Sequence, residues 1–213
     1  MRAIIFANGD PVDLETVRPW LESKTLIIAA DGGARNALSI GLRPKVIIGD
    51  MDSFDAADQP LLEESGAQFI VHPMRKDYTD LELAIRHALQ QHASEIVIFC
   101  ALGGRWDQSF ANLMLLTLPE LRDVPTRLVD RRQSIVVIRD RAEIDGRVGD
   151  TLSLIALAGD ARGVTIEGCE YPLHEAVLPF GATLGISNVL SEPTTRIVVK
   201  EGIVLAIHTT QEK

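Results

Sequence analysis

The chain has 213 residues, 30 Asp and Glu against 21 Lys and Arg, and a formal net charge of −9, with a pI near 5.0. That balance argues against a nucleic-acid partner, which needs a basic face, and no run approaches the ~18 apolar residues of a membrane helix. Cys100 and Cys169 lie far apart without metal-ligand spacing and read as small buried hydrophobes in a reducing compartment. A soluble cytoplasmic protein is the expectation; the apolar run after Arg2 is too short for a signal peptide.

Over the first ~120 residues, two periodicities alternate. Apolar runs at 3–8, 25–31, 45–50, 68–73 and 95–104 each precede a stretch of helical spacing or composition, at 13–23, 32–41, 55–66, 79–92 and 105–121. Near-solid Ile and Val imply strands covered on both faces, hence a parallel sheet wrapped by helices. The expected fold class is α/β: an N-terminal doubly wound, mostly parallel sheet of about five strands, Rossmann-like, over residues 1–124.

After Pro125 the rhythm changes. Segments 126–140, 150–158, 163–168 and 196–209 are β-branched, and turn signals at Asp145-Gly146, Gly159-Asp160 and Glu201-Gly202 divide them. Residues 125–213 therefore read as an all-β domain, a small sandwich or flattened barrel.

Charge collects where an α/β sheet binds ligands, beyond the C-terminal ends of its strands. Asp31 ends the second run, Asp50 and Asp52 follow the third, and Asp80 stands at the helix after the fourth. Residues i and i+2 of extended backbone point the same way, so Asp50 and Asp52 are expected to aim both carboxylates at one point. Such a pair captures a hard cation, and oxygen-only ligands with substrate phosphates suit Mg²⁺. Thr79 and Glu82 fit a capping box, and Lys76 precedes that helix as one of few cations near the rim. Gly103-Gly104 allow close backbone approach before a helix start. There Arg105 suits phosphate oxygens, while Asp107 and Gln108 suit a ribose or base. Trp106 is assigned to core or domain-interface packing, and His87 and His92 to the solvent side of a helix. No Walker A or GxGxxG motif occurs, so a nucleotide would be held mainly through metal.

The segments "ADGGA" (30–34), "GLRPKVIIGDMDS" (41–53), "KDYTDLELAI" (76–85), "ALGGRWDQSFANL" (101–113) and "GISN" (185–188), in this order, resemble the thiamine pyrophosphokinase family. The resemblance implies an α/β catalytic domain binding ATP and Mg²⁺, a C-terminal β-sandwich binding thiamine, and a homodimer. It implies transfer of the pyrophosphoryl group of ATP to the thiamine hydroxyl, giving thiamine diphosphate and AMP. By position, Asp31, Asp50, Asp52 and Asp80 would be the catalytic carboxylates, with Asp50, Asp52 and Asp80 on the metal. Lys76, Thr79, Arg105, Asp107, Gln108 and Asn112 would serve the nucleotide, and Ser187 and Asn188 thiamine. Gln108 stands where bacterial relatives often have His, and Val189 where Glu is common. Rival readings are a pyrophosphokinase for another small alcohol, such as a hydroxymethyl-pterin, and a non-catalytic nucleotide- or thiamine-binding module.

Overall fold

The computed structural model describes residues 1–211. It divides into two compact units, Met1–Arg131 and the residues from Arg132 onward. In the first, strands β1 (Arg2–Phe6), β2 (Leu26–Ala30), β3 (Val46–Gly49), β4 (Gln68–Val71), β5 (Glu95–Phe99) and β6 (Thr126–Asp130) pair in parallel in the order β6-β5-β1-β2-β3-β4. Helices α1 (Leu14–Val17), α2 (Gly33–Ser39), α3 (Gln59–Glu64), α4 (Asp80–Gln90) and α5 (Trp106–Leu115) fall between them.

Both faces of the central strands are buried, as their solid apolar runs require, while the edge strand β4 is partly exposed. Ile4, Phe6, Val97, Phe99 and Val129 share one cluster with Val17 of α1 and Ala37 of α2. The alternate residues Ile5, Ile28, Ile48, Ile96 and Ile98 point the other way and are equally inaccessible. Against the strands lies α4, packed on β1, β2 and β3. It buries Leu81, Ala84, Ile85 and Ala88, one stripe at helical spacing. Stacked Phe6 and Phe99, with ring centroids 5.6 Å apart, fill the space between neighbouring strands.

In the second unit, β7 (Gln133–Ile138), β8 (Arg141–Asp145), β9 (Thr151–Ala156), β10 (Ala161–Glu167), β11 (Leu173–Leu178), β12 (Asn188–Val189), β13 (Thr194–Val198) and β14 (Val204–Thr209) form two antiparallel groups. Their orders are β12-β9-β14-β7 and β11-β10-β13-β8. Leu152, Leu154 and Ala206 from one group meet Val164, Ile166 and Ile197 from the other in a single apolar cluster.

Several expectations need correction. The stretch 126–140 is not one segment of the second half: Thr126–Asp130 is a sixth parallel strand beside β5, and Arg131, at φ 50°, breaks the chain before β7. The stretch 13–23 yields one α turn and then a 3₁₀ turn, because Pro19 cannot continue the hydrogen-bond ladder. Pro60 likewise confines α3 to six residues after a 3₁₀ turn at Ala56–Asp58. His92 lies beyond α4, and His87 is half-buried. Trp106 is 83 % exposed rather than part of the core. Residues 212 and 213 of the expected second domain lie outside the described residues.

Candidate active site

The parallel order reverses at β1: the chain steps outward to β4, then returns to β5 on the other side. The crevice beyond the strand ends at such a switch point is the natural ligand site of an open α/β sheet. A cleft of about 670 Å³ opens there. Asp31, Asp50, Asp52 and Asp80 line it, as do Lys76, Thr79, Arg105, Gln108 and Asn112.

One oxygen each from Asp31, Asp50 and Asp52 lie within 4.8 Å of one another. They converge by a different route from the extended backbone expected. β3 ends at Gly49, Met51 is left-handed at φ 65°, and Asp52 N donates to Asp50 Oδ1 at 3.2 Å. A tight turn, rather than strand alternation, brings the carboxylates together. Asp31, also left-handed at φ 46°, is 4 % exposed. Its Oδ2 accepts from Ser53 N at 3.0 Å, and its buried Oδ1 has no hydrogen-bond partner among the described residues. Burial pushes its carboxyl upward, and the charge of Asp80 adds to that. A buried acceptor without a donor is costly unless something occupies its lone pairs. Three convergent carboxylates, one with an orphaned oxygen, fit a hard divalent cation.

Lys76 closes the cluster on one side. Its ammonium lies 2.7 Å from Asp80 Oδ1 and 3.2 Å from Asp50 Oδ2. Desolvation opposes its charge, but the bonds to Asp80 and Asp50 outweigh it and hold the ammonium above its ordinary range. Asp50 is held below the usual carboxylate range, chiefly by the Asp52 backbone N–H and with help from Lys76. Asp80, the first residue of α4, pairs with Lys76, and its charge also reaches Asp31; the three oxygens within 4.8 Å are those of Asp31, Asp50 and Asp52. Thr79 caps α4 by accepting from Glu82 N at 3.2 Å. The reciprocal half of the expected capping box is missing, because the Glu82 carboxylate binds Arg86.

After β5, Cys100 turns left-handed at φ 56°, and the glycine pair and Arg105 lead into α5. Asn112 is buried, and its Nδ2 donates to Ala101 O at 2.7 Å. Ser109 Oγ donates to Gly103 O and accepts from Gly103 N. These two side chains fix the loop on which Arg105 stands. Arg105 is exposed and pairs with Asp107 at 2.6 Å. Asp107 thus faces the guanidinium and is absent from the cleft lining.

Ser187 and Asn188 belong to the second unit. Ser187 is exposed and left-handed at φ 60°, with its N–H on Ser153 Oγ at 3.1 Å. Asn188 is 8 % exposed. Its Oδ1 accepts from Tyr171 N at 3.0 Å and its Nδ2 donates to Tyr171 O at 2.7 Å. The neighbouring Gly185 is required by close approach: a β-carbon there would stand 2.4 Å from Leu154 O.

The sequence reading missed the loop after β1. Asn8 and Asp10 line the cleft. Asn36 braces them by donating to Ala7 O at 2.9 Å and Gly9 O at 3.2 Å. The available signal was an Asn-Gly-Asp at the end of an apolar run, the same pattern that singled out the other strand ends.

Residues 17–128 match the family described as thiamin pyrophosphokinase, catalytic domain. The chain belongs to the thiamine pyrophosphokinase family. Residues 135–204 match that family's second description, thiamin pyrophosphokinase, vitamin B1 binding domain. A thiamine pyrophosphokinase of Bacillus subtilis is 29 % identical over 99 % of this chain and 100 % of its own. Thiamine pyrophosphokinase 1 of Arabidopsis thaliana is 31 % identical over 81 % of this chain and 73 % of its own. A crystal structure of the B. subtilis thiamine pyrophosphokinase matches with a TM-score of 0.89 at 27 % identity, covering both chains fully.

Proposed function

We propose that this chain transfers the pyrophosphoryl group of ATP to thiamine, giving thiamine diphosphate and AMP, with Mg²⁺ at the strand-end carboxylates. The observation that carries the reading is the convergence of Asp31, Asp50 and Asp52 within 4.8 Å, beside the Lys76 ammonium. In this reaction the thiamine hydroxyl oxygen bonds to the β-phosphorus, the bond from that phosphorus to the bridging oxygen breaks, AMP leaves and the alcohol proton is released. Bound there, Mg²⁺ would neutralise phosphate oxygens and hold the triphosphate in line. Asp50 and Asp52, with Asp80 and the converging Asp31, would hold it, and Lys76 bridges Asp50 and Asp80. Arg105, steered by Asp107, adds charge-assisted hydrogen bonds to phosphate. Gln108 and Thr79 complete the nucleotide wall, Asn112 positions the α5 start, and Ser187 and Asn188 serve the thiamine side.

We read the first unit as a doubly wound, Rossmann-like domain, because the central strands are buried on both faces and the strand order reverses at β1. We read the second as a sandwich, because both antiparallel groups feed one cluster. The proposal includes a homodimer, consistent with exposed Phe180, Leu184 and Val148. It also includes a cytoplasmic location, in keeping with two free buried cysteines. Among the described residues no helix is long and apolar enough to cross a membrane.

The deciding assay incubates the purified chain with ATP, Mg²⁺ and thiamine and measures AMP and thiamine diphosphate, with a hydroxymethyl-pterin in parallel. Release of ADP, or preference for the pterin, replaces this reading. Binding of ATP without AMP release makes the chain a binding module. Asp50→Asn and Asp52→Asn should each cut turnover by about 100-fold or more while the thermal melt stays cooperative.

A further inference from the structure

Asp50 and Asp52 stand on a loop whose own bonds are short-range. Asp52 N donates to Asp50 Oδ1 at 3.2 Å, and Ser53 Oγ donates to Asp52 Oδ1 at 2.9 Å. Bonds of this kind shape a turn but do not fix where it stands relative to Asp31. Contacts to other elements do. Ser53 N donates to Asp31 Oδ2 at 3.0 Å. Met51 and Phe54 both pack on the cluster of Ala29, Ala34, Ile47 and Leu62. Phe54 also meets Phe69 of β4 edge-on, with ring centroids 5.6 Å apart. Asp55 pairs its Oδ2 with Arg35 of α2 in an ion pair open to water, and its Oδ1 accepts from Ala57 N at 2.9 Å. Met51 and Phe54 are thus turned into apolar packing, and the two residues between them, Asp52 and Ser53, line the cleft.

We infer that Phe54 is a positioning residue for the carboxylate loop, and that the Arg35–Asp55 pair is a second, weaker tether on the same loop. This rests on the reading of the strand-end carboxylates as a Mg²⁺ site. Neither Phe54 nor Arg35 lines the cleft, so both act through Asp50 and Asp52. A carboxylate serves a cation only while it is held at ligand distance. A loop that drifts lowers the apparent affinity by the fraction of time it is in place. The ring is the stronger tether, because an edge-to-face pair with apolar packing behind it outweighs an ion pair exposed to solvent.

The test measures affinity for ATP in the presence of Mg²⁺ by calorimetry, and amide hydrogen exchange over residues 50–55, in the full chain. Phe54→Ala should weaken binding roughly tenfold and speed exchange at Asp52 and Ser53. Phe54→Leu should recover most of both, since it refills the apolar contact. Val17→Ala is the control for general destabilisation, because Val17 is fully buried in a different cluster. It should lower the melting temperature and leave the affinity within about twofold of the parent. Arg35→Ala and Asp55→Asn, the latter keeping a capping oxygen, should each weaken binding by about 1.5- to fivefold. Combined, they should weaken it no further than either alone. Parent-like affinity and exchange in Phe54→Ala, or an equal loss of affinity in Val17→Ala, overturns the role of Phe54. Additive losses in the double variant overturn the second tether. If Asp52→Asn binds ATP with Mg²⁺ as the parent does, the metal reading fails, and the exchange rates alone decide whether Phe54 anchors the loop.

Discussion

Gly49 leaves no room for a β-carbon beside Asp31: one built there would stand 2.8 Å from Asp31 Cβ and 3.2 Å from Asp80 Oδ1. The end of β3 is thus pressed between two of the four strand-end aspartates. Gly49→Ala should displace Asp31 and cut turnover at least as much as Asp50→Asn. The strain should cost about 1–3 kcal/mol of stability, read as a lower denaturation midpoint. Wild-type kinetics in Gly49→Ala would mean that the placement of Asp31 does not matter.

The carboxylate cluster predicts a ligand-linked rise in stability. Protein stripped with EDTA should gain thermal stability when Mg²⁺ and ATP are added, by about 2.7 kcal/mol at 100-fold excess over Kd. Asp50→Asn and Asp52→Asn should lose most of that gain. Differential scanning fluorimetry reads this without any turnover.

Lys76→Met should leave Asp50 and Asp80 facing each other without their shared cation. Turnover should fall roughly tenfold or more, and the ATP KM should rise. Lys76→Arg should recover only part, since a planar fork does not replace a compact ammonium between two carboxylates. Steady-state kinetics of the two variants decides this.

Asp150 in the second unit gives an acid-stability prediction. It is 1 % exposed. It accepts from Arg147 N at 2.9 Å, Gln211 N at 3.0 Å and, in contact with His208 Nε2, shares a 2.9 Å bond. Burial pushes its carboxyl up, but those bonds outweigh burial and hold it below its ordinary 3.8. A depressed folded value stabilises above the unfolded one, so this contribution is present above pH 3.8 and is lost as pH falls through the folded value. Asp150→Ala should cost about 2–4 kcal/mol near neutrality, and its melting temperature should fall less steeply than the parent's below about pH 4.

Burial drives the Cys100 thiol up to about 11. Cys169 is raised as well, chiefly by burial. At pH 8 both should react with thiol reagents only after the protein unfolds. Rapid labelling of the folded chain would show that the strand end at Cys100 is open.

The parts of the fold that showed in the sequence are those where one physical demand dominates. β1, β2, β3 and β5 are buried on both faces, so their apolar runs carry no competing signal. Arg141–Asp145 alternates as a half-buried strand should, but with only two apolar residues, Ala142 and Ile144, between charged ones, the five-residue signal of β8 is weak. Leu173–Leu178 went unseen as β11 because Glu175, at φ 50°, and two register shifts interrupt it. At the cleft, position along the chain was legible and side-chain direction was not. Asp31, Asp50 and Asp52 were found from strand ends, but the Met51 turn that joins two of them was not. Asp107 turns to Arg105, and Asn188 inward to Tyr171, because a neighbouring partner captures each side chain. Asn8 and Asp10 carry the same strand-end signal.

Asp31, Met51 and Cys100 hold left-handed backbone at three separate strand ends, a conformation costing L-residues with a β-carbon about 1 kcal/mol or more apiece. For protein engineering this sets a boundary. Met51→Gly would relieve tension and raise heat resistance, yet it would also free the hinge between Asp50 and Asp52 to sample other shapes. Thermal hardening of this scaffold is therefore better sought away from that rim, where robustness and catalysis do not compete for the same bonds.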